Sequence, residues 1–253
     1  MDDVRWLMGV CDIEAPSAIA HHPSAMKVTY YGHSALQIET SGTTLLFDPF
    51  ITGNKHTEGV VTADDLAPDV VVLTHAHGDH WGDAPAILAR TGALLVADFE
   101  VVQYAGRHHG HEHVHPMNIG GRWDFEWGRL TRTYARHSSS FPDGTYGGLA
   151  GGFILEAEGK TVYNSGDTCA FAEMAWLGED YEFDLAFLPI GDDFTMGPEE
   201  AVRCVEMLGP ALTVPVHYGT FPYIDVDVSR FTGAMKEAGF EARVMKPGET
   251  LEL

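Results

Sequence analysis

Four metal-binding side chains lie within six consecutive positions of this 253-residue chain: His75, His77, Asp79 and His80. They follow the aliphatic run at residues 70–73, which predicts a buried strand. Because side chains alternate along a strand, His75 and His77 leave its end on the same side and can reach one metal ion. Asp79 and His80 follow where the chain must turn, so they can approach a second ion from another direction. A solvated loop seldom carries histidines at this spacing with an acid between them, so a metal site is the favoured interpretation.

Three further segments with β propensity run into a candidate metal ligand. His137 follows residues 130–136, Asp167 follows residues 161–164, and His217 follows residues 212–216. Taken singly, a histidine or aspartate after a strand is more often a cap or a surface residue. Together with the first cluster, the three complete a ligand set. Imidazole and carboxylate ligands without a thiolate suit zinc, manganese or iron.

The order of these residues, His-x-His-x-Asp-His followed by a lone His, Gly-Asp and a last His, resembles that of the metallo-β-lactamase superfamily. Within it, five blocks are similar to a subfamily of metal-dependent hydrolases that is related to the ascorbate-6-phosphate lactonases. The blocks are residues 26–35, 135–139, 166–168, 189–192 with 196–198, and 215–222. The resemblance covers residues 26–253 and implies an α/β fold, the four-layer αββα sandwich of that superfamily.

The resemblance also implies how the ligands are shared between two divalent ions, for which Zn²⁺ and Mn²⁺ are the favoured metals. One ion is assigned to His75, His77 and His137, the other to Asp79, His80 and His217, with Asp167 bridging the two. Two ions about 3.5–4 Å apart bind a hydroxide between them, lower its pKa and polarise a carbonyl or phosphoryl oxygen. The implied reaction is hydrolysis without a protein nucleophile, in which Asp79 orients the hydroxide or carries its proton to the leaving group.

Two residues near predicted strand ends are candidates for further roles at the site. His33, in a turn where the family also carries histidine, is interpreted either as a catalytic or supporting group or as a structural turn residue. Asp48 ends the predicted strand at residues 44–47 and is expected to hold the free N–H of a ligand imidazole. Candidates for lining the substrate pocket follow from adjacency to ligands: Asp192, Phe194, Met196, Tyr218, Thr220 and Phe221.

The charge of the chain bears on the substrate. Lysine and arginine number 15 and aspartate and glutamate 37, so the formal charge is 15 − 37 = −22. Such a surface repels polyanions, and neither nucleic acid nor an anionic membrane is expected as a partner. A small-molecule ester, lactone or phosphoester needs only the metals and a local cation, for which Arg136 and Lys55 are the nearest candidates.

Other functions fit the same ligand pattern. A metal-dependent nuclease or phosphodiesterase, a non-hydrolytic iron oxidoreductase and a metal-binding scaffold share the fold that the resemblance implies. The charge disfavours the nuclease, and the complete ligand set disfavours the scaffold. One fold can host many reactions, so the natural substrate and the metal used in vivo are left open. The oligomeric state is left open as well, a homo-oligomer included.

A single catalytic domain is predicted over residues 26–253, with residues 1–25 as a poorly ordered extension. Three widely spaced cysteines, Cys11, Cys169 and Cys204, form no Cys-x-x-Cys pair, which favours a reducing cytoplasm over a disulfide framework. The apolar stretches are too short for a signal peptide or a membrane span.

Helices are expected near residues 84–90 with Asp83 as N-cap, from Glu100, near 171–177, at 198–208 and near 228–238. A histidine tract follows the second of them: His108, His109, His111, His113 and His115. It is interpreted as a solvated loop, with an exposed face that takes up adventitious metal as the alternative. The glycine-rich segment at residues 147–152 lacks the ending of a phosphate-binding loop and is expected to be a flexible lead-in to a strand.

Overall fold

The computed structural model describes residues 25–253, which form four layers: two β-sheets packed face to face, each covered by helices on its outer side. The α/β sandwich predicted from the sequence is therefore confirmed. The prediction for residues 1–25 concerns positions that, apart from Ala25, lie outside the described residues.

The first sheet consists of β1 (Lys27–Gly32), β2 (Ala35–Thr40), β3 (Thr43–Phe47), β4 (Val70–Val72), β5 (Leu94–Ala97), β6 (Val114–Pro116) and β13 (Glu249–Glu252). Its strand order is β13-β1-β2-β3-β4-β5-β6. Neighbours from β3 to β6 are parallel, whereas β13, β1, β2 and β3 pair antiparallel. All of β4 is buried, as expected for an inner parallel strand that is covered on both faces.

The second sheet consists of β7 (Arg122–Phe125), β8 (Gly128–Tyr134), β9 (Gly151–Ala157), β10 (Lys160–Asn164), β11 (Leu185–Pro189) and β12 (Thr213–Val216). Its order is β12-β11-β10-β9-β8-β7. The strands β7 to β10 form an antiparallel meander, and β10, β11 and β12 are parallel.

The helices are α1 (Gly78–Trp81), α2 (Ala84–Thr91), α3 (Phe99–His109), α4 (Met174–Asp180), α5 (Pro198–Leu208) and α6 (Val228–Ala238), with 3-10 turns at Ala63–Asp65 and Pro222–Ile224. The limits of α5 follow from its sequence: Pro198 occupies the first turn, and Gly209 ends the helix in the left-handed conformation with φ 61°. No helix within residues 25–253 is long and apolar enough to cross a membrane.

Three apolar cores separate the layers. The central core lies between the sheets, where the rings of Phe47 from β3 and Phe153 from β9 pack edge to face at 6.4 Å. A second core lies between the first sheet and helices α2 and α3. A third lies between the second sheet and helices α4, α5 and α6. Burial of apolar side chains on both faces of each sheet holds the sandwich together.

The strands that precede the predicted ligands all run in one direction within their sheet. In the first sheet, β1 and β3 are parallel to β4, since each neighbours β2 antiparallel and β3 pairs parallel with β4. In the second sheet, β8 is parallel to β10 through the intervening β9. The segments that leave these strands carry His33, Asp48, His75, His137, Asp167 and His217. The fold thereby brings residues that are far apart in the sequence together at one edge of the sandwich.

Several element boundaries differ from the sequence prediction. Asp79 and His80 lie in the short helix α1 rather than in a simple turn. Helix α4 begins at Met174 instead of near Phe171, whose ring packs on Tyr134 at 5.4 Å ahead of the helix. Asp83 is the N-cap residue of α2 as predicted, but its carboxylate accepts hydrogen bonds from the N–H groups of residues 51 and 52 instead of from the helix.

The histidine tract spans the end of α3, the connection that follows it and β6. His108 and His109 form the last turn of α3, and His115 lies in β6 with its ring 5.0 Å from two aromatic rings of β7. His111 and His113 each bring a ring nitrogen 3.0 Å from a carbonyl oxygen between α2 and β5. His108, His109 and His113 are exposed, whereas His111 and His115 are partly buried, so the predicted solvated loop describes only part of the tract.

Removal of residues 1–25 should leave the fold and the metal content unchanged. Met26 is buried, and its carbonyl accepts a hydrogen bond from the Leu253 N–H at 3.0 Å, so a chain that starts at Met26 retains its anchor in the first sheet. Thermal unfolding and elemental analysis of the full and shortened chains test this expectation. A lowered melting temperature or a lost ion would mean that the removed segment packs on the domain or on a second subunit.

Candidate metal centre

The first ligand set brings three imidazole nitrogens together. His77 Nδ1 lies 3.0 Å from His75 Nε2 and 3.2 Å from His137 Nε2. The three rings stand nearly perpendicular to one another, with interplanar angles of 77° to 85°. His75 is buried because it continues the line of β4 into the interior, whereas His77 and His137 are partly exposed. Three converging imidazoles form a donor set that suits a divalent transition-metal ion.

The second ligand set combines a carboxylate with two imidazoles. Asp79 and His80 project from α1, and Asp79 Oδ2 lies 3.6 Å from His217 Nε2, at the end of β12. One ligand atom from each of these residues, together with one from His33, lies within 4.8 Å of all the others. This second cluster therefore draws on the same two sheets as the first.

The carboxylate of Asp167 lies between the two sets. Its Oδ2 is 3.0 Å from His217 Nε2, 3.2 Å from His80 Nε2, 3.6 Å from His137 Nε2 and 3.9 Å from His75 Nε2. The preceding Gly166 has φ 59°, and a Cβ atom there would lie 2.8 Å from the Gly151 carbonyl oxygen. Only glycine allows the chain to bring Asp167 this close to both sets.

Several buried polar atoms of the cluster have no hydrogen-bond partner within residues 25–253: His80 Nε2, both ring nitrogens of His217 and Asp167 Oδ1. Buried polar atoms in folded proteins are nearly always paired. A bound metal ion would supply a partner for those of these atoms that face the cluster. The residues therefore fit the metal centre that the fold implies.

Burial and close contact shift the pKa values of the ligands. Burial lowers the pKa of His75, His77 and His137, which favours the neutral imidazole that a metal ligand must be. Burial acts in the same direction on His217, but the charge of Asp167 outweighs it and raises the pKa of His217 to about 9. Burial disfavours the charged form of Asp167, yet the imidazoles of the second set hold its pKa well below the usual range.

Asp48 contacts His80, a member of the second ligand set, through the ring nitrogen that does not face the other ligands. Its Oδ2 lies 3.0 Å from His80 Nδ1 and accepts a hydrogen bond from Thr74 Oγ1 at 2.7 Å, while Oδ1 accepts one from the Thr74 N–H at 2.8 Å. The contact predicted for Asp48 is present. It directs Nε2 of His80 toward the ligand cluster.

Replacement of this carboxylate should weaken metal binding without removing a ligand. We expect Asp48→Asn to lower metal affinity about 10–100-fold, because an amide cannot present two acceptor oxygens to His80 and Thr74. Competition with a chromophoric chelator measures the loss. Asp69→Asn is a matched control, since Asp69 accepts from the Thr44 N–H at the far end of the same strand pair. Equal affinities of the two variants would contradict the role of Asp48.

His33 lies beneath Asp79 and is fully buried. Its Nε2 is 3.1 Å from Asp79 Oδ2, and its Nδ1 is 3.0 Å from Thr220 Oγ1. Burial lowers the pKa of His33 to about 3, so the ring is neutral and both nitrogens are engaged. His33 is therefore placed to hold Asp79 through Nε2, and its catalytic role stays a prediction.

Three of these residues have a left-handed backbone that side chains other than glycine rarely adopt: His33, Asp48 and His217, with φ 56°, 43° and 54°. Each such residue costs about 1–3 kcal/mol. Strain of this kind persists where the surroundings fix the conformation, and here each strained residue aims a polar side chain at the cluster. The strain thus marks the functional edge of the fold.

Aromatic side chains form one wall beside the second ligand set. The ring of Phe221 lies 5.6 Å from His33 and stacks on Phe50 at 5.9 Å. Phe50 also packs edge to face on His33 at 5.4 Å. The sequence analysis missed Phe50, although its position two residues after Asp48 was a usable signal. Phe221 and Thr220 both contact His33, and their place in a substrate pocket stays a prediction.

The other pocket candidates are distributed differently. Tyr218 is partly buried against the third core, and Asp192 is exposed. Phe194 is exposed and lies 6.0 Å from the exposed ring of Tyr223. Met196 was wrongly assigned to the pocket: it is fully buried in the third core, with its sulfur 3.3 Å from Cys204 Sγ. Adjacency in sequence misled here because the chain after β11 turns back into the interior.

Both predicted local cations are exposed. The Arg136 N–H donates to Thr168 Oγ1 at 3.0 Å, which ties this residue to the segment after Asp167. Lys55 precedes His56, whose ring lies so close to Gly219 that a Cβ atom on that glycine would be 3.4 Å from Cε1. Each cation is therefore attached to a segment that borders the ligand cluster.

The sandwich and its shared-carboxylate ligand cluster define a class of protein, the metallo-β-lactamase superfamily. The family profile described as the beta-lactamase superfamily domain matches residues 43–218, which include all seven predicted ligands. A metal-dependent hydrolase of Salinibacter ruber is 48% identical over 228 residues, covering 90% of this chain and 100% of that protein. One from Shouchella clausii is 51% identical over 233 residues, with the same coverage of 90% and 100%.

Among solved structures, the metallo hydrolase Igni18 from the hyperthermophilic archaeon Ignicoccus hospitalis is similar, with a TM-score of 0.81 and 38% identity. The match covers 91% of this chain and 99% of Igni18. The chain belongs to the UPF0173 family of metal-dependent hydrolases within that superfamily.

Proposed function

We propose that the protein is a dinuclear hydrolase that cleaves a small ester, lactone or phosphoester, with Zn²⁺ or Mn²⁺ as its metal. The observation that carries this proposal is the position of Asp167 Oδ2, which lies 3.0 to 3.9 Å from ligand nitrogens of both sets. A carboxylate between two donor sets offsets the repulsion between two cations. The position of Asp167 therefore favours two bound ions over a single ion.

When bound, a pair of divalent ions supplies a strong nucleophile from water at neutral pH and a Lewis acid for the substrate oxygen. Asp79 is the partly exposed carboxylate of the second ligand set. Burial opposes its ionisation, but the nearby imidazoles of His217 and His33 hold the pKa of Asp79 far below its usual range. An ionised Asp79 accepts hydrogen bonds and orients water, which favours this role over that of a proton carrier.

The surroundings favour a small substrate. The formal charge of −22 repels a long polyanion from the protein surface. Phe50 and Phe221 pack on the ring of His33, which contacts Asp79, and apolar surroundings of this kind strengthen the polar contacts made beside them. Arg136 and Lys55 can provide the single local cation that a small anionic group needs. We also place the protein in the cytoplasm, since its three widely spaced cysteines form no Cys-x-x-Cys pair.

Elemental analysis followed by a substrate panel in the metal found tests the proposal. We expect turnover of at least one small ester, lactone or phosphodiester that is lost on chelation, restored by metal and absent in His75→Ala. Faster cleavage of single-stranded RNA or DNA at low salt would replace this proposal by a nuclease. Oxygen consumption by iron-loaded protein without any hydrolysis would favour the oxidoreductase.

A further inference from the structure

Within residues 25–253, one arginine is completely buried, in the middle of β8. Arg132 is the largest side chain without exposed surface in this part of the chain, and it lies on the same face of β8 as Leu130, which belongs to the central core. A charged side chain is rarely fully buried unless it is paired, because its desolvation is costly. The burial of Arg132 therefore indicates that its guanidinium has partners inside the protein.

The guanidinium binds three backbone carbonyl oxygens and one carboxylate. Nη2 donates to the Leu149 oxygen at 2.8 Å and to the Thr74 oxygen at 3.3 Å, and Nη1 donates to the Leu73 oxygen at 3.5 Å. Nη2 also lies 3.4 Å from Asp98 Oδ2. The contacts match the planar fork of arginine, which presents several donors in fixed directions.

These carbonyls belong to the two segments that carry the first ligand set. Leu73 and Thr74 directly precede His75, and Leu149 lies near the end of the connection at residues 135–150 that carries His137. The Gly151 N–H donates to the same Thr74 oxygen at 3.2 Å, so the two segments meet at this point. One side chain thus joins the strand that bears His75 to the loop that bears His137.

The glycine-rich segment is packed against this arginine and its partner. A Cβ atom at Gly148 would lie 2.0 Å from Asp98 Oδ1, and one at Gly151 would lie 3.2 Å from Arg132 Nε. The segment expected to be a flexible lead-in is therefore a close-packed one, whose glycines let the backbone approach the buried ion pair. The ring of Phe153 closes the site from the core, 5.2 Å from the Arg132 guanidinium carbon.

We propose that Arg132 is a positioning residue for the metal centre, which fixes the distance between His75 and His137 by binding the carbonyl groups of both ligand-bearing segments. The inference rests on the proposed metal centre but not on its substrate. Its consequence is that loss of Arg132 alters metal binding and metal geometry even when the fold survives.

The experiment compares three variants. Arg132→Met combined with Asp98→Asn removes the ion pair without leaving a buried charge unpaired, and asparagine can still cap α3 as Asp98 does. Arg132→Lys keeps the charge but not the fork. Arg129→Met is the matched control, an exposed arginine on the same strand that pairs with Asp124.

Metal affinity is measured by competition with a chromophoric chelator, and geometry by the visible absorption of Co²⁺-loaded protein. We expect the double variant to lose about 10–100-fold in affinity, as when other groups that orient metal ligands are removed, and to show a changed cobalt spectrum. Arg132→Lys should lie between the double variant and wild type, and Arg129→Met should equal wild type.

A folded double variant with wild-type affinity and an unchanged cobalt spectrum would overturn the proposal, whatever its melting temperature. If the double variant does not fold, Arg132→Lys decides by the same two measurements, with wild-type values overturning the proposal. Wild-type protein that binds metal but turns over no small substrate would refute the proposed function alone, since neither readout requires turnover.

Discussion

Asp167→Ala should yield a folded protein that retains neither ion firmly and has less than about one thousandth of the wild-type activity. The reason is the central place of Asp167 Oδ2, which contacts imidazoles of both ligand sets. Without the shared carboxylate, two cations held by the remaining ligands would repel each other at short range. Native mass spectrometry counts the ions, and an assay on the best substrate of the panel measures the activity. Asp180→Ala, at the exposed end of α4, is the control and should change neither.

The count of bound ions can also refute the assumption that the protein holds two ions. If wild-type protein in excess metal holds at most one ion per chain, the dinuclear arrangement is wrong. If Asp167→Ala loses one ion and keeps the other with unchanged affinity, Asp167 is a ligand of a single site instead of a bridge.

Removal of metal should lower the melting temperature by roughly 8–16 °C per ion, when the ion is present at about a thousand times its dissociation constant. At that concentration a ligand bound only by the folded state contributes about 4 kcal/mol. In a domain of this size each kcal/mol shifts the melting temperature by roughly 2–4 °C. Bound ions would provide partners for the buried atoms of His80, His217 and Asp167 that have no hydrogen-bond partner within residues 25–253.

Calorimetry of chelated and metal-replete protein measures this shift. Asp167→Ala serves again as a control, because its melting temperature should respond little to metal. A wild-type transition that is the same with and without metal would mean that the folded and unfolded chains bind ions equally.

The fold could be predicted through the resemblance to the superfamily, and local signals in the sequence predicted that the candidate ligands would cluster. The aliphatic run before His75 predicts a buried strand, and the spacing of His75, His77, Asp79 and His80 matches the geometry of a strand end followed by a turn. Asp48 could be assigned because a carboxylate after a neighbouring strand is a common support for a ligand imidazole.

The missed features depend on contacts between distant segments. Arg132 looks like an ordinary polar residue of a strand, and only the packing of residues 73, 74 and 149 around it reveals its burial. Asp192 and Met196 both follow β11 within a few residues, but the chain direction after the strand decides which side chain reaches solvent. The contacts of His111 and His113 were missed for the same reason, since their partners are carbonyl groups between α2 and β5.

The ligands of this centre come from both sheets, which has a consequence for how the protein is made. During synthesis the segment with His75, His77, Asp79 and His80 emerges well before Asp167 and His217. A nascent chain can therefore hold an ion only loosely until the second sheet has been translated and has docked on the first. Once the sheets have docked, ions held by ligands from both would link the two halves. Separation of the halves during unfolding should therefore release the ions in the same step.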